Sequence, residues 1–155
     1  MMVLDALVDA LRAYGIPVLE QPQAAVNTNA RLELWLSGFT AGGEKGDGDS
    51  LAYETMTFTA DVVSSGVARQ FVGELRKILL PMARLGESFL PVPVTISDPA
   101  RPGKTITKNL RALFEKTAPG TFEYESEEAP MPARFKESWR ITITYPADII
   151  PQKED

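Results

Sequence analysis

The chain has 155 residues, 44% of them hydrophobic and 24% charged, with a formal net charge of −5, which is the composition of an ordinary globular domain able to bury a core without a disulfide or a metal. It contains no cysteine and no histidine, which excludes disulfides, thiolate nucleophiles, imidazole zinc sites and every nucleophile that relies on histidine as its base. An enzyme would be left with carboxylate, lysine, tyrosine or all-oxygen metal chemistry, so the expectation is a binding protein, not an enzyme, with no cofactor and no metal.

The acidic balance opposes contact with nucleic acid over a broad surface, because phosphates need a dense positive face. No run of about eighteen apolar residues suggests a membrane span. The start, Met1-Met2-Val3-Leu4-Asp5, lacks the basic region of a secretory signal.

In chain order, Val3, Leu4, Leu7, Val8 and Leu11 fall on one helical stripe, which Gly15 and Pro17 should end. Ile16 to Leu19 reads as a short edge strand, and Gln21 to Ala30 as a loop. Two long strands follow. Leu32, Leu34 and Leu36 alternate with Glu33, Trp35 and Ser37, and Met56, Phe58, Ala60 and Val62 alternate with Thr55, Thr57, Thr59 and Asp61. That period of two predicts antiparallel strands with one face inward. Between them the stretch Ala41 to Ser50 carries Glu44, Lys45, Asp47 and Asp49 among glycines, the composition of a charged, flexible hairpin tip.

A second helix is predicted from about Val67 to Leu85, with Ser64 or Ser65 as its cap and Gly86 at its end. Pro81 should kink it or stop it early. A strand near Phe89 to Ile96 contains Pro91 and Pro93, which push it to a sheet edge. Ser97 to Lys104 reads as a turn. Two readings fit the next stretch: a short helix using Leu110, Leu113 and Phe114, or strands Arg111 to Thr117 and Thr121 to Ser126 paired across Ala118-Pro119-Gly120. Glu125 to Pro132 reads as an acidic loop. The last strand sets Trp139, Ile141, Ile143 and Tyr145 on one face and Arg140, Thr142 and Thr144 on the other. The whole reads as one α+β domain over residues 1–146, a mixed and mainly antiparallel sheet with an N-terminal helix and one long central helix packed on it, followed by a tail over 147–155.

Three patterns resemble chemistry; two fail on spacing and one on its surroundings. Gly103-Lys104-Thr105 ends like a phosphate-binding loop, but the glycine required five positions earlier is Asp98, and Pro99 and Pro102 remove N–H donors. Counting a calcium loop from Asp47 puts Phe58 where the twelfth-position glutamate belongs. Glu123, Glu125, Glu127 and Glu128 cluster, but their polar and proline-rich surroundings mark a solvated face. What remains are candidates for contact with proteins. Arg69, Arg76 and Lys77 lie on the outer side of the second helix, where they either serve ordinary solubility or meet acids of a neighbouring subunit. Trp35 sits opposite the leucines of its strand, so either a partner or a second layer of the fold covers it. Trp139 and the hairpin-tip residues Glu44, Lys45, Asp47 and Asp49 complete the set.

The order of elements carries a resemblance. A first helix ending in Tyr14-Gly15-Ile16-Pro17-Val18 precedes a long hairpin. Then comes a helix opened by Val67-Ala68-Arg69-Gln70-Phe71, and the fold closes on the strand Trp139-Arg140-Ile141-Thr142-Ile143-Thr144-Tyr145. Over roughly residues 2 to 145 this layout resembles the tail terminator, or tail-completion, family of long-tailed phages and prophages. The resemblance implies a mixed sheet with helices packed on it. It also implies a homo-oligomeric ring, commonly of six subunits, that sits on the tail tube, stops its growth and meets the head–tail connector. It implies no catalytic residues, and a place in the host cytoplasm during assembly and then in the virion tail. The stretch Asp98 to Pro132 has no match in that layout. Other readings are a head–tail connector, a secretion-system adaptor, or a small carboxylate- and lysine-based enzyme that handles nucleotides through Gly103-Lys104-Thr105.

Overall fold

The computed structural model describes residues 2–19, 30–41, 53–65, 71–98, 100–129 and 133–146. They form two helices and one six-stranded sheet: α1 (Met2–Ala13), β1 (Val18–Leu19), β2 (Arg31–Ala41), β3 (Tyr53–Ser65), α2 (Phe71–Gly86), β4 (Leu90–Ser97), β5 (Thr105–Glu123) and β6 (Arg134–Pro146). The strand order is β1-β2-β3-β6-β5-β4. All neighbours are antiparallel except the two-residue β1, which runs parallel to β2. The α+β class and the mainly antiparallel sheet are as expected. The molecule is not built round a single long helix: α2 has 16 residues, and β5 alone has 19.

α1 forms because Val3, Leu7, Val8 and Leu11 line one side and bury almost completely. Its end is fixed by a paired capping motif, in which Ile16 N–H donates to the Leu11 carbonyl and Gly15 N–H to that of Arg12. Gly15 carries the positive φ, 99°, that this geometry requires. Arg12 Nη2 then donates to the Val18 carbonyl, and Leu32 N–H donates to that of Pro17, tying the helix end to the sheet edge.

Alternation places one side chain in two on a single apolar face. Leu36, Phe58, Ile141 and Phe114 form one register row across four strands, and Leu34, Ala60 and Trp139 form the next. Phe58 and Ile141 are fully buried, and each such side chain contributes about 1.5–3 kcal/mol by leaving water. α1 packs on β4 and also on β1, at opposite ends of the strand order, so the sheet curls around it. α2 lies over β2, β3 and β5. Together these elements enclose one hydrophobic cluster.

Three expectations are corrected. Pro81 lies inside α2 and does not stop it early, since the helix continues to the predicted end at Gly86. Ile78, Met82 and Leu85 are buried on either side of it, and their packing holds the last turn despite the lost hydrogen bond. Ser64 and Ser65 belong to β3 and so do not cap α2, whose approach at 66–70 lies outside the described residues. The stretch 105–123 is neither a short helix nor a hairpin across Ala118-Pro119-Gly120. It is the single strand β5, which pairs with β4 up to Ala112 and with β6 from Ala112 onward. Leu110, Ala112 and Phe114 take the period-two core face, and register shifts between Lys116 and Thr121 absorb the proline and glycine.

Candidate interaction surfaces

Three exposed surfaces stand out. The first is an open groove of about 900 Å³ between the flank of α1 and the free edge of β4. Ala6, Ala10 and Tyr14 wall it on the helix side, Pro93, Val94 and Ile96 on the strand side, and Asp5 and Asp9 are its charged lining residues. β4 alternates buried and exposed residues from Leu90 to Ser97, with Pro91 and Pro93 at exposed positions. Its ladder with β5 is unbroken over the same span. Both prolines therefore occupy positions whose missing N–H would face the open edge, which blunts that edge against an added strand.

The second surface is the outer face of the sheet. Its middle is a band of threonines: Thr40 opposite Thr55, Thr55 opposite Thr144, and Thr57 opposite Thr142. Thr55 and Thr144 hydroxyls share a hydrogen bond of 3.0 Å. Charges around the band are paired among themselves. Arg31 meets Glu33 at 2.9 Å, Arg140 meets Glu115 at 2.5 Å, Arg134 meets Glu123 at 2.6 Å, and Lys136 lies 3.7 Å from the buried Asp61. Leu113 is 53% exposed at one side of the band, where Arg111 stacks 4.5 Å over the Phe89 ring. Trp35, opposite Thr59, is half-buried on this face, on the side of the strand away from Leu32 and Leu34.

The third surface is the solvent side of α2. Arg76, Lys77 and Arg84 are exposed there, and Leu80 stands 49% exposed between them.

Trp139 is not a contact residue on the surface. It is 4% exposed, its ring lies against Gly86 at the end of α2, and its indole N–H donates to Glu137 Oε1 at 2.7 Å. The alternation that identified its strand also aims it inward, beside Ile141 and Ile143. Glu44, Lys45, Asp47, Asp49 and Arg69 lie outside the described residues. Glu123, Glu125, Glu127 and Glu128 are all exposed. The sequence reading missed Leu113, Phe89, Tyr14 and Leu80 as exposed apolar residues; Leu80 lies off the buried stripe of α2, at four-residue spacing from Arg76 and Arg84, which is a signal that could have found it, whereas for the others only the packing shows that they are left outside.

The residues that resemble reactive groups do not converge. Gly103 and Lys104 close a turn in which Lys104 N–H donates to the Arg101 carbonyl and Asp98 N–H to that of Lys104. Thr105 begins a strand, so no helix N-terminus follows the glycine to receive a phosphate. Arg101 donates to Asp98 at 2.7 Å and holds that carboxyl below its ordinary range. Burial, and then the neighbouring Glu54 carboxylate, push Tyr145 up to about 12, so its phenol stays protonated at neutral pH. Among the described residues no group of three or more acidic side chains is placed to hold a metal ion. No protein-family model matches the chain, and no curated protein matches it.

Proposed function

We propose that this chain is a structural protein of a phage or prophage tail that associates with copies of itself into a ring, caps the tail tube and joins it to the head. The observation that supports this reading is the separation of an acidic, apolar groove beside α1 from a basic face on α2 with an exposed leucine at its centre. Two unlike surfaces on one molecule suit a head-to-tail contact, which closes into a ring when the rotation allows. The layout of the elements supports the tail-terminator reading in particular. The proline-blunted edge of β4 favours contacts through side chains over open-ended strand addition.

The test is light scattering and negative-stain microscopy of the purified chain, alone and with a tail-tube protein. The expected result is ring-sized particles that bind tube ends. A strict monomer at all concentrations, with no affinity for tube protein, refutes the proposal.

A further inference from the structure

We infer that the groove between α1 and β4 of one copy receives the solvent face of α2 from the next copy. This rests on the self-association proposed above and assigns the surfaces that carry it.

The groove has an apolar wall and floor, and its charged lining residues are both acidic, Asp5 and Asp9. α2 presents the opposite character: Leu80, 49% exposed, lies between Arg76 one turn before it and Arg84 one turn after. The two surfaces cannot satisfy each other within one copy, because α1 packs on β4 and β1 whereas α2 packs on β2, β3 and β5. Strand addition to the groove is opposed by Pro91 and Pro93, which leaves a helix laid in the groove as the fitting mode.

Arg76 and Arg84 each lie one helical turn, roughly 6 Å of rise, from Leu80, and Asp9 lies about 4.5 Å of rise beyond Ala6 on α1. With Leu80 set against Ala6, one of the two arginines therefore comes level with the carboxylate of Asp9. The small alanine side chains let the helix axes approach to the usual range of about 8–10 Å. Because the groove and the helix face are different patches, each copy uses one of each, and the contact propagates from copy to copy.

The experiment uses two full-length variants, Arg76→Glu/Arg84→Glu and Asp9→Lys, with the wild type, in sedimentation velocity over a concentration series. Circular dichroism first confirms that each is folded. Each variant alone sets like charges together, and the concentration for half-association should rise roughly tenfold or more. An equimolar mixture restores opposite charges at every junction, glutamates against the introduced lysine and arginines against the native aspartate, so it should associate near the wild-type concentration. If both variants associate as the wild type does, or the mixture does no better than either alone, the assignment of surfaces is wrong while self-association stands. If the wild type never associates, self-association fails and this inference falls with it.

Discussion

Replacing Glu137 by alanine should destabilise the fold by about 2–3 kcal/mol, and the structure says where that cost arises. Glu137 is 7% exposed on the apolar side of the sheet, opposite Val62. Its Oε1 accepts the Trp139 indole N–H at 2.7 Å, and its Oε2 lies 3.5 Å from Lys116 Nζ. A hydrogen bond to a charged acceptor is worth about 1.5–3 kcal/mol, and alanine would also leave a buried N–H without a partner. Lys116 is about half exposed, with a side chain at 49%, so its pairing is of the surface kind and adds at most about 1 kcal/mol. Glutamine keeps an acceptor in place and loses only the charge, so Glu137→Gln should cost about 1 kcal/mol.

Urea unfolding at constant m-value reads these differences, and each kcal/mol should move the melting temperature by about 2–4 °C in a chain of this size. A double-mutant cycle with Trp139→Phe should return a coupling of about 1.5–3 kcal/mol, and one with Lys116→Ala less than about 1 kcal/mol. If Glu137→Ala stays within about 0.5 kcal/mol of the wild type, or if Lys116 couples more strongly than Trp139, the indole bond is not what the buried carboxylate supplies.

Gly120→Ala should cost about 1–3 kcal/mol by overpacking, since a Cβ there would lie 2.7 Å from Phe135 Cε1, closer still to Cζ, and Phe135 is 7% exposed; thermal melts of the variant check it. Tyr145 is raised from 10.0 to about 12 in the folded chain, so its contribution to stability is complete below pH 10 and declines as pH rises through its folded value. Tyr145→Phe should remove that decline, and unfolding curves that fall equally between pH 10 and pH 12 in both proteins would contradict it. Replacing Pro91 and Pro93 with threonine restores two N–H donors to the open edge of β4. The monomer should keep its stability to within about 1 kcal/mol while thioflavin-positive aggregation accelerates, and unchanged aggregation kinetics would show that the prolines do not guard the edge.

Periodicity made much of this fold legible. The leucines of β2, the alternation of β3 and the Trp139 to Tyr145 run of β6 each named the face that turns inward, because a pleated strand sends alternate side chains to opposite sides. Gly15 and Pro17 marked the end of α1 because only a residue tolerant of positive φ completes that capping geometry. Pro91 and Pro93 placed β4 at an edge because neither can donate to a ladder.

Other features depended on contacts between residues far apart in the chain. The sequence from Thr105 to Glu123 contains a Pro-Gly pair that locally favours a turn, yet pairing with β6 resumes at Thr121 after the register shifts, and the long-range ladder on both sides overrides the local preference. Pro81 stays within α2 for the same kind of reason, since Met82 and Leu85 are buried beyond it. Trp139 and Leu113 show the limit most clearly for the surfaces. Composition alone marks both as apolar, but Gly86 covers the first and the sheet leaves the second in solvent. The local pattern thus determined which residues form helix and strand and which strand faces turn inward. The assembled sheet decided which apolar groups stay outside and how a groove arises between α1 and β4, because exposure belongs to the packed arrangement of elements and not to any one of them.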